Sequence, residues 1–106
     1  MPYIKQEDRE YLDPYIKTLS QAISTRTKLQ DGDRAPVSYA GMLNYCCTRL
    51  ALMVANGLFG HLNYWVLALI SGVFSNINSE FYRRVMEPYE NEKISQNGDV
   101  EEYREE

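Results

Sequence analysis

From Leu50 to Ser79 the chain carries no formally charged side chain, while charged groups crowd both sides of that stretch. The segment LALMVANGLFGHLNYWVLALISGVFSNINS leaves few ways to fold. As one bilayer span it would bury Asn56, Gly57, His61 and Asn63 in hydrocarbon. Its two apolar blocks, Leu50–Phe59 and Leu62–Phe74, each fall short of the ~20 residues a spanning helix needs. The mean hydropathy of -0.46 also argues for water rather than lipid. The remaining solution is a helical hairpin that supplies both a core and a surface for self-association. Two helices apolar on several sides cannot be covered by one small monomer, and large exposed apolar patches are unusual.

A chain of 106 residues fits one domain, predicted here over 1–95 with an acidic tail at 96–106. The net charge of -4, from 11 basic and 15 acidic side chains, disfavours non-specific binding to a nucleic-acid backbone. Nine tyrosines supply amphipathic surface suited to interfaces. Cys46 and Cys47 are adjacent and point about 100° apart on a helix, so they are expected as reduced thiols rather than a disulfide. With His61 as the one histidine, a metal site is not expected. MPYIKQEDRE has no apolar signal-peptide core, and the expected compartment is the cytoplasm.

Along the chain, Met1–Ile4 reads as a short extended arm and Lys5–Leu12 as a charged helical turn. Asp13-Pro14 is a helix-entry signal, an N-cap followed by proline at the first helical position. Tyr15, Ile16, Leu19, Ala22 and Ile23 then repeat at helical spacing. Lys28–Val37 reads as a loop, with a turn at Asp31-Gly32-Asp33 and Pro36 discouraging helix before it. Its two aspartates lack the further oxygen ligands and terminal glutamate of a calcium loop. Ser38 is an N-cap candidate for a helix over Tyr39–Asn56, whose stripe is Leu43, Cys47, Leu50 and Val54. Asn56-Gly57 and Gly60 supply the hairpin turn. The next helix runs from His61 or Leu62 to Met86 or beyond, with Leu62, Val66, Leu69, Ile70, Val73 and Ile77 on its main face; Pro88 should end or kink it, with room for a short continuation through Tyr89, Glu92 and Lys93. The fold expectation is therefore all-α: three helices, with the N-terminal one across the 39–86 hairpin, assembled as a homo-oligomer.

The ends are informative in a different way. MPYIKQEDREYLDPYI, Leu43-Asn44-Tyr45, Thr48-Arg49-Leu50, Glu80-Phe81-Tyr82-Arg83-Arg84-Val85, Pro88-Tyr89-Glu90, Lys93-Ile94 and Asn97-Gly98-Asp99-Val100 occur in order over about half the chain. This pattern resembles a family of short uncharacterised proteins from bacteria, archaea and phages. The resemblance implies a compact helical domain with structurally important ends, and no activity. Gly41-Met42 departs from the Gly-Glu usual before Leu-Asn-Tyr. The end motifs suggest that Tyr3-Ile4 and Val100 pair as short strands.

The cluster Tyr82, Arg83 and Arg84 is the candidate ligand site. Arginine forks bind carboxylates and phosphates, and tyrosine stacks or donates a hydrogen bond. Arg49, Tyr45 and Lys93 would join it across a subunit interface, giving a pocket for an anionic small molecule such as a nucleotide. The competing reading is salt bridging, because Glu80 and Glu87 stand at helical contact spacing from the arginines. Arg49 likewise reads either as a snorkelling edge residue or as an inward cation awaiting a partner. No catalytic residue, metal or cofactor is expected, since no nucleophile-base signature or phosphate-binding glycine loop is present. The function expected first is a non-enzymatic oligomeric binding protein that sequesters a nucleotide signal. A protein-interaction module or inhibitor acting on a host partner is the alternative, and a nucleotide-processing enzyme the third. Neither nucleic acid nor membrane is an expected partner.

Overall fold

The computed structural model describes residues 3–31 and 35–104. They are helical almost throughout, and no strand occurs among them. The elements are α1 (Gln6–Asp31), α2 (Ala35–Phe59), α3 (Tyr64–Phe81), a π-helical turn (Tyr82–Met86), α4 (Glu87–Asn97) and a 3-10 turn (Glu101–Tyr103). Tyr3–Lys5 and Gly98–Val100 have no regular secondary structure, so the expected pairing of short strands at the ends is not found. The described residues divide into two units, 3–67 and 68–104, the boundary falling inside α3.

In the first unit, α1 starts well before the expected Asp13-Pro14 boundary. The Lys5 carbonyl accepts from the N–H groups of Asp8 and Arg9, both at 3.1 Å, and Glu7 and Asp8 complement the positive end of the helix. Pro14 therefore lies in the helix interior. It removes one backbone donor at an exposed position, where water can serve the freed carbonyl. The Tyr11 and Tyr15 rings, 6.0 Å apart, sit one turn from each other across that point. Hydroxyls further along bond back to the preceding turn: Thr18 to the Pro14 carbonyl at 3.0 Å and Ser20 to that of Lys17 at 3.1 Å.

The loop expected over Lys28–Val37 is shorter than the sequence suggests. Lys28–Asp31 belong to α1, and Ala35–Val37 open α2. Pro36 falls in the first turn of α2, where a missing N–H interrupts no intrahelical bond. Gly32 and Asp33 of the turn signal lie outside the described residues. Ser38 is inside α2 rather than at its cap. Its hydroxyl is buried without a hydrogen-bond partner among the described residues.

α1 packs against α2. At their contact the buried Thr27 hydroxyl donates to the Ile23 carbonyl at 2.7 Å and stands 3.2 Å from the Met42 sulfur. α2 ends at Gly60, whose φ of 78° suits a residue without Cβ and whose N–H donates to the Asn56 carbonyl at 2.9 Å. Asn56 and Gly57, expected in the hairpin turn, are therefore helical. Asn63 caps α3, its side-chain oxygen accepting from the Val66 N–H at 3.3 Å. α3 thus starts at Tyr64 and not at His61 or Leu62. Phe59 and Trp65 bridge the turn edge to face, with ring centres 4.9 Å apart.

In the second unit, the break expected at Pro88 takes the form of a change of helix type, and helix continues beyond Met86. Pro88 cannot donate to the Arg84 carbonyl, and in an α-helix its ring would collide with that group. The chain widens by one residue instead, and the Glu87 N–H reaches back five residues to the Tyr82 carbonyl. Helix resumes with Pro88 in the first turn of α4. α4 stops at Gly98, φ 86°, whose N–H donates to the Ile94 carbonyl at 2.8 Å. A Cβ there would sit 3.4 Å from an Arg104 guanidinium nitrogen, which itself donates to the Asp99 carbonyl at 3.1 Å.

Candidate functional site

The residues named from the sequence separate between the two units. Tyr82, Arg83, Arg84 and Lys93 belong to the second, Tyr45 and Arg49 to the first. Tyr82, Arg83 and Arg84 open the π-helical turn, so the widening at Pro88 falls within the candidate cluster. Arg83 makes an ion pair with Glu80 at 2.6 Å, the salt-bridging alternative that the spacing allowed. Arg84 is exposed and forms no ion pair among the described residues. The Lys93 ammonium lies 5.5 Å from the centre of the Tyr89 ring and bonds the Gln96 side chain at 3.4 Å. Tyr82 is held above the ordinary phenol value of 10.0, first by hydrogen bonding to Glu90, then by the charge of that carboxylate, with smaller contributions from desolvation and Glu87.

Arg49 is exposed on α2. Tyr45 instead helps line a concave groove of about 430 Å³ between α1 and α2. Leu19, Ala22 and Ile23 form one wall, and Met42, Tyr45 and Cys46 much of the other. Arg26 is the charged side chain in this lining. With the amide of Gln30 turned so that its oxygen faces the guanidinium, that oxygen accepts two bonds from Arg26 at 3.1 Å. Arg26 has no carboxylate partner among the described residues. The sequence contained its signal, a cation three and four residues beyond the apolar pair Ala22 and Ile23. What it did not contain was the α2 wall opposite.

The second feature of note is what remains uncovered. Apolar burial among the described residues is confined to Ala55, 5% exposed, and Val66, 1% exposed. The α2 stripe Leu43, Cys47, Leu50 and Val54 is exposed along its whole length. It turns about 100° away from Met42, which faces α1. On α3, Leu69, Val73, Ile77 and Phe81 recur every fourth residue and are all more than half exposed. The described residues contain no group of three metal-ligating side chains and no helix long and apolar enough to cross a membrane.

A family model described as Domain of unknown function (DUF6899) matches residues 1–100, and the chain belongs to that family. This agrees with the uncharacterised family suggested by the terminal segments. No curated protein and no solved structure matches the chain.

Proposed function

We propose that this member of the family is a non-enzymatic binding protein that self-associates through its uncharged helical surfaces. In the assembly the uncharged stripes of α2 and α3 are covered by copies of the same chain. An anionic small molecule, such as a nucleotide, sits on Tyr82, Arg84 and Lys93 at the subunit boundary, with Arg49 supplied by a neighbouring copy. Arg83 serves mainly as the partner of Glu80.

The observation that carries this reading is the pair of exposed stripes on α2 and α3. Leu50 is 58% exposed and Ile77 56%. Covering such side chains removes apolar area from water at roughly 25 cal/mol per Å², and each contact counts once per copy in a symmetric interface. A second copy supplies the same uncharged surface, so no ion is stripped of water when the stripes meet. Arg84 and Lys93 then remain available as cations for an anion.

Native mass spectrometry of the purified full chain tests both parts. The expected result is two or more copies with a retained anionic ligand. Leu50→Glu or Ile77→Glu should weaken assembly by roughly a hundredfold or more, the effect of losing two buried side chains and adding two buried charges. Arg84→Ala should leave the copy number unchanged and lose the ligand. A well-folded single chain at high concentration would refute the assembly. A ligand-free oligomer that co-purifies with one other protein would favour a protein-interaction module instead.

A further inference from the structure

The groove between α1 and α2 has a definite chemistry. Its walls are apolar, and its one charged lining residue among those described is Arg26, one helical turn beyond Ala22 and Ile23. With its amide turned, Gln30 offers Arg26 a neutral oxygen, and no carboxylate pairs with Arg26 among the described residues. Residues 17–49 carry five basic side chains and two acidic ones, in a chain whose net charge is -4. The groove therefore lies in the locally basic part of an acidic protein. The groove is open to solvent along one side, with Leu19 and Tyr45 among its exposed lining residues. At ~30 Å³ per non-hydrogen atom, taking liquid water as the measure, about 430 Å³ admits on the order of fourteen atoms.

We infer that this groove binds a medium-chain carboxylate, with the tail along Leu19, Ala22, Ile23 and Met42 and the head on the Arg26 guanidinium. Thr27 and Met42 touch beside it, where α1 packs against α2. Tyr45 adds a phenol to the same lining. The exposed α2 stripe points away from Met42, so the groove stays open when that stripe is covered. The inference is thus independent of self-association and of the Tyr82–Lys93 cluster.

Calorimetric titration of the full chain with sodium decanoate, and with decanamide as its neutral match, tests the assignment. Decanoate should saturate one site per chain and bind about tenfold more tightly than decanamide, the scale of one charge-assisted hydrogen-bonded contact. Arg26→Gln should bring decanoate down to the decanamide level while leaving decanamide unchanged. Gly41→Leu should abolish both with helicity intact, since a Cβ at Gly41 meets nothing within 4 Å and a larger side chain projects into the groove. Ala22→Leu fills the opposite wall and should give the same loss if Gly41→Leu fails to fold. Equal affinity for the two probes would overturn the assignment. So would decanoate binding that survives both groove-filling variants, or binding that vanishes as chains associate over the groove.

Discussion

Residues 3–67 and 68–104 are both helical, yet they are held in different ways. In the first stretch α1 leans on α2, Thr27 and Met42 meet across fifteen residues of sequence, and Ala55 and Val66 are buried. The second includes several pairs of near neighbours: Arg83 and Glu80, Gln96 and Glu92 at 3.3 Å, Lys93 and Tyr89, and Arg104 and Asp99. Neither the π-helical turn nor α4 contains a buried residue. Pairs three or four residues apart contribute only about 0.2–0.5 kcal/mol each, and isolated short helices are marginal in water. The first stretch therefore holds buried tertiary contacts, whereas neither the π-helical turn nor α4 in the second contributes a buried residue.

Two valines on one helix put this contrast to the largest test. Val66→Ala should destabilise the dilute protein by about 2 kcal/mol in urea unfolding, because a filled site is emptied. Val73→Ala, at an exposed position, should stay within about 0.5 kcal/mol under the same conditions. Its effect should grow with protein concentration if the α3 stripe becomes covered. Equal costs at low concentration would break the distinction.

An intermediate effect is expected at Pro88. Pro88→Ala restores a donor for the Arg84 carbonyl and removes the ring clash, so the π-helical turn should relax to α-helix with a gain of roughly 1–2 kcal/mol. Amide hydrogen exchange would show it as slower exchange over residues 84–88. Unchanged exchange there would mean that something other than the proline sets the turn.

The smallest effect concerns Tyr82. A phenol is neutral when protonated, and its raised value means the folded chain keeps that proton longer than the unfolded chain does. The contribution is whole below pH 10.0 and is lost as pH climbs through the higher folded value. Glu90→Gln should move Tyr82 down towards 10.0, seen in phenolate absorbance as a curve that differs from wild type and disappears in Tyr82→Phe. Coincident curves would remove Glu90 as the cause.

The sequence revealed the helical character because apolar spacing is a local property. Leu43, Cys47, Leu50 and Val54 did form one stripe of one helix. Boundaries were legible only where a single residue decides them. Gly60 and Gly98 stop helices because their positive φ belongs to glycine. Asp13-Pro14 and Ser38 misled because each is compatible with more than one backbone. Proline is accepted inside α1 where the helix is solvated, and at Pro88 through a widened turn that no propensity rule anticipates. Among the candidate ligand residues, helical spacing pointed to salt bridging but paired Glu80 with Arg84, whereas Glu80 is found on Arg83. The setting of Tyr45 and Arg26 could not, because a wall built from two helices is a fact of tertiary packing.

The widened turn at Tyr82–Met86 has a consequence for how this chain tolerates insertion and deletion. Its additional residue sets everything beyond it back by about 100° relative to an unbroken α-helix. Removing one amino acid between 82 and 86 together with Pro88→Ala would give a regular helix that still presents Tyr89 and Lys93 in their present direction. Pro88→Ala alone would swing them to another side. Length and proline here form a compensating pair, and a change in one can be absorbed by a change in the other.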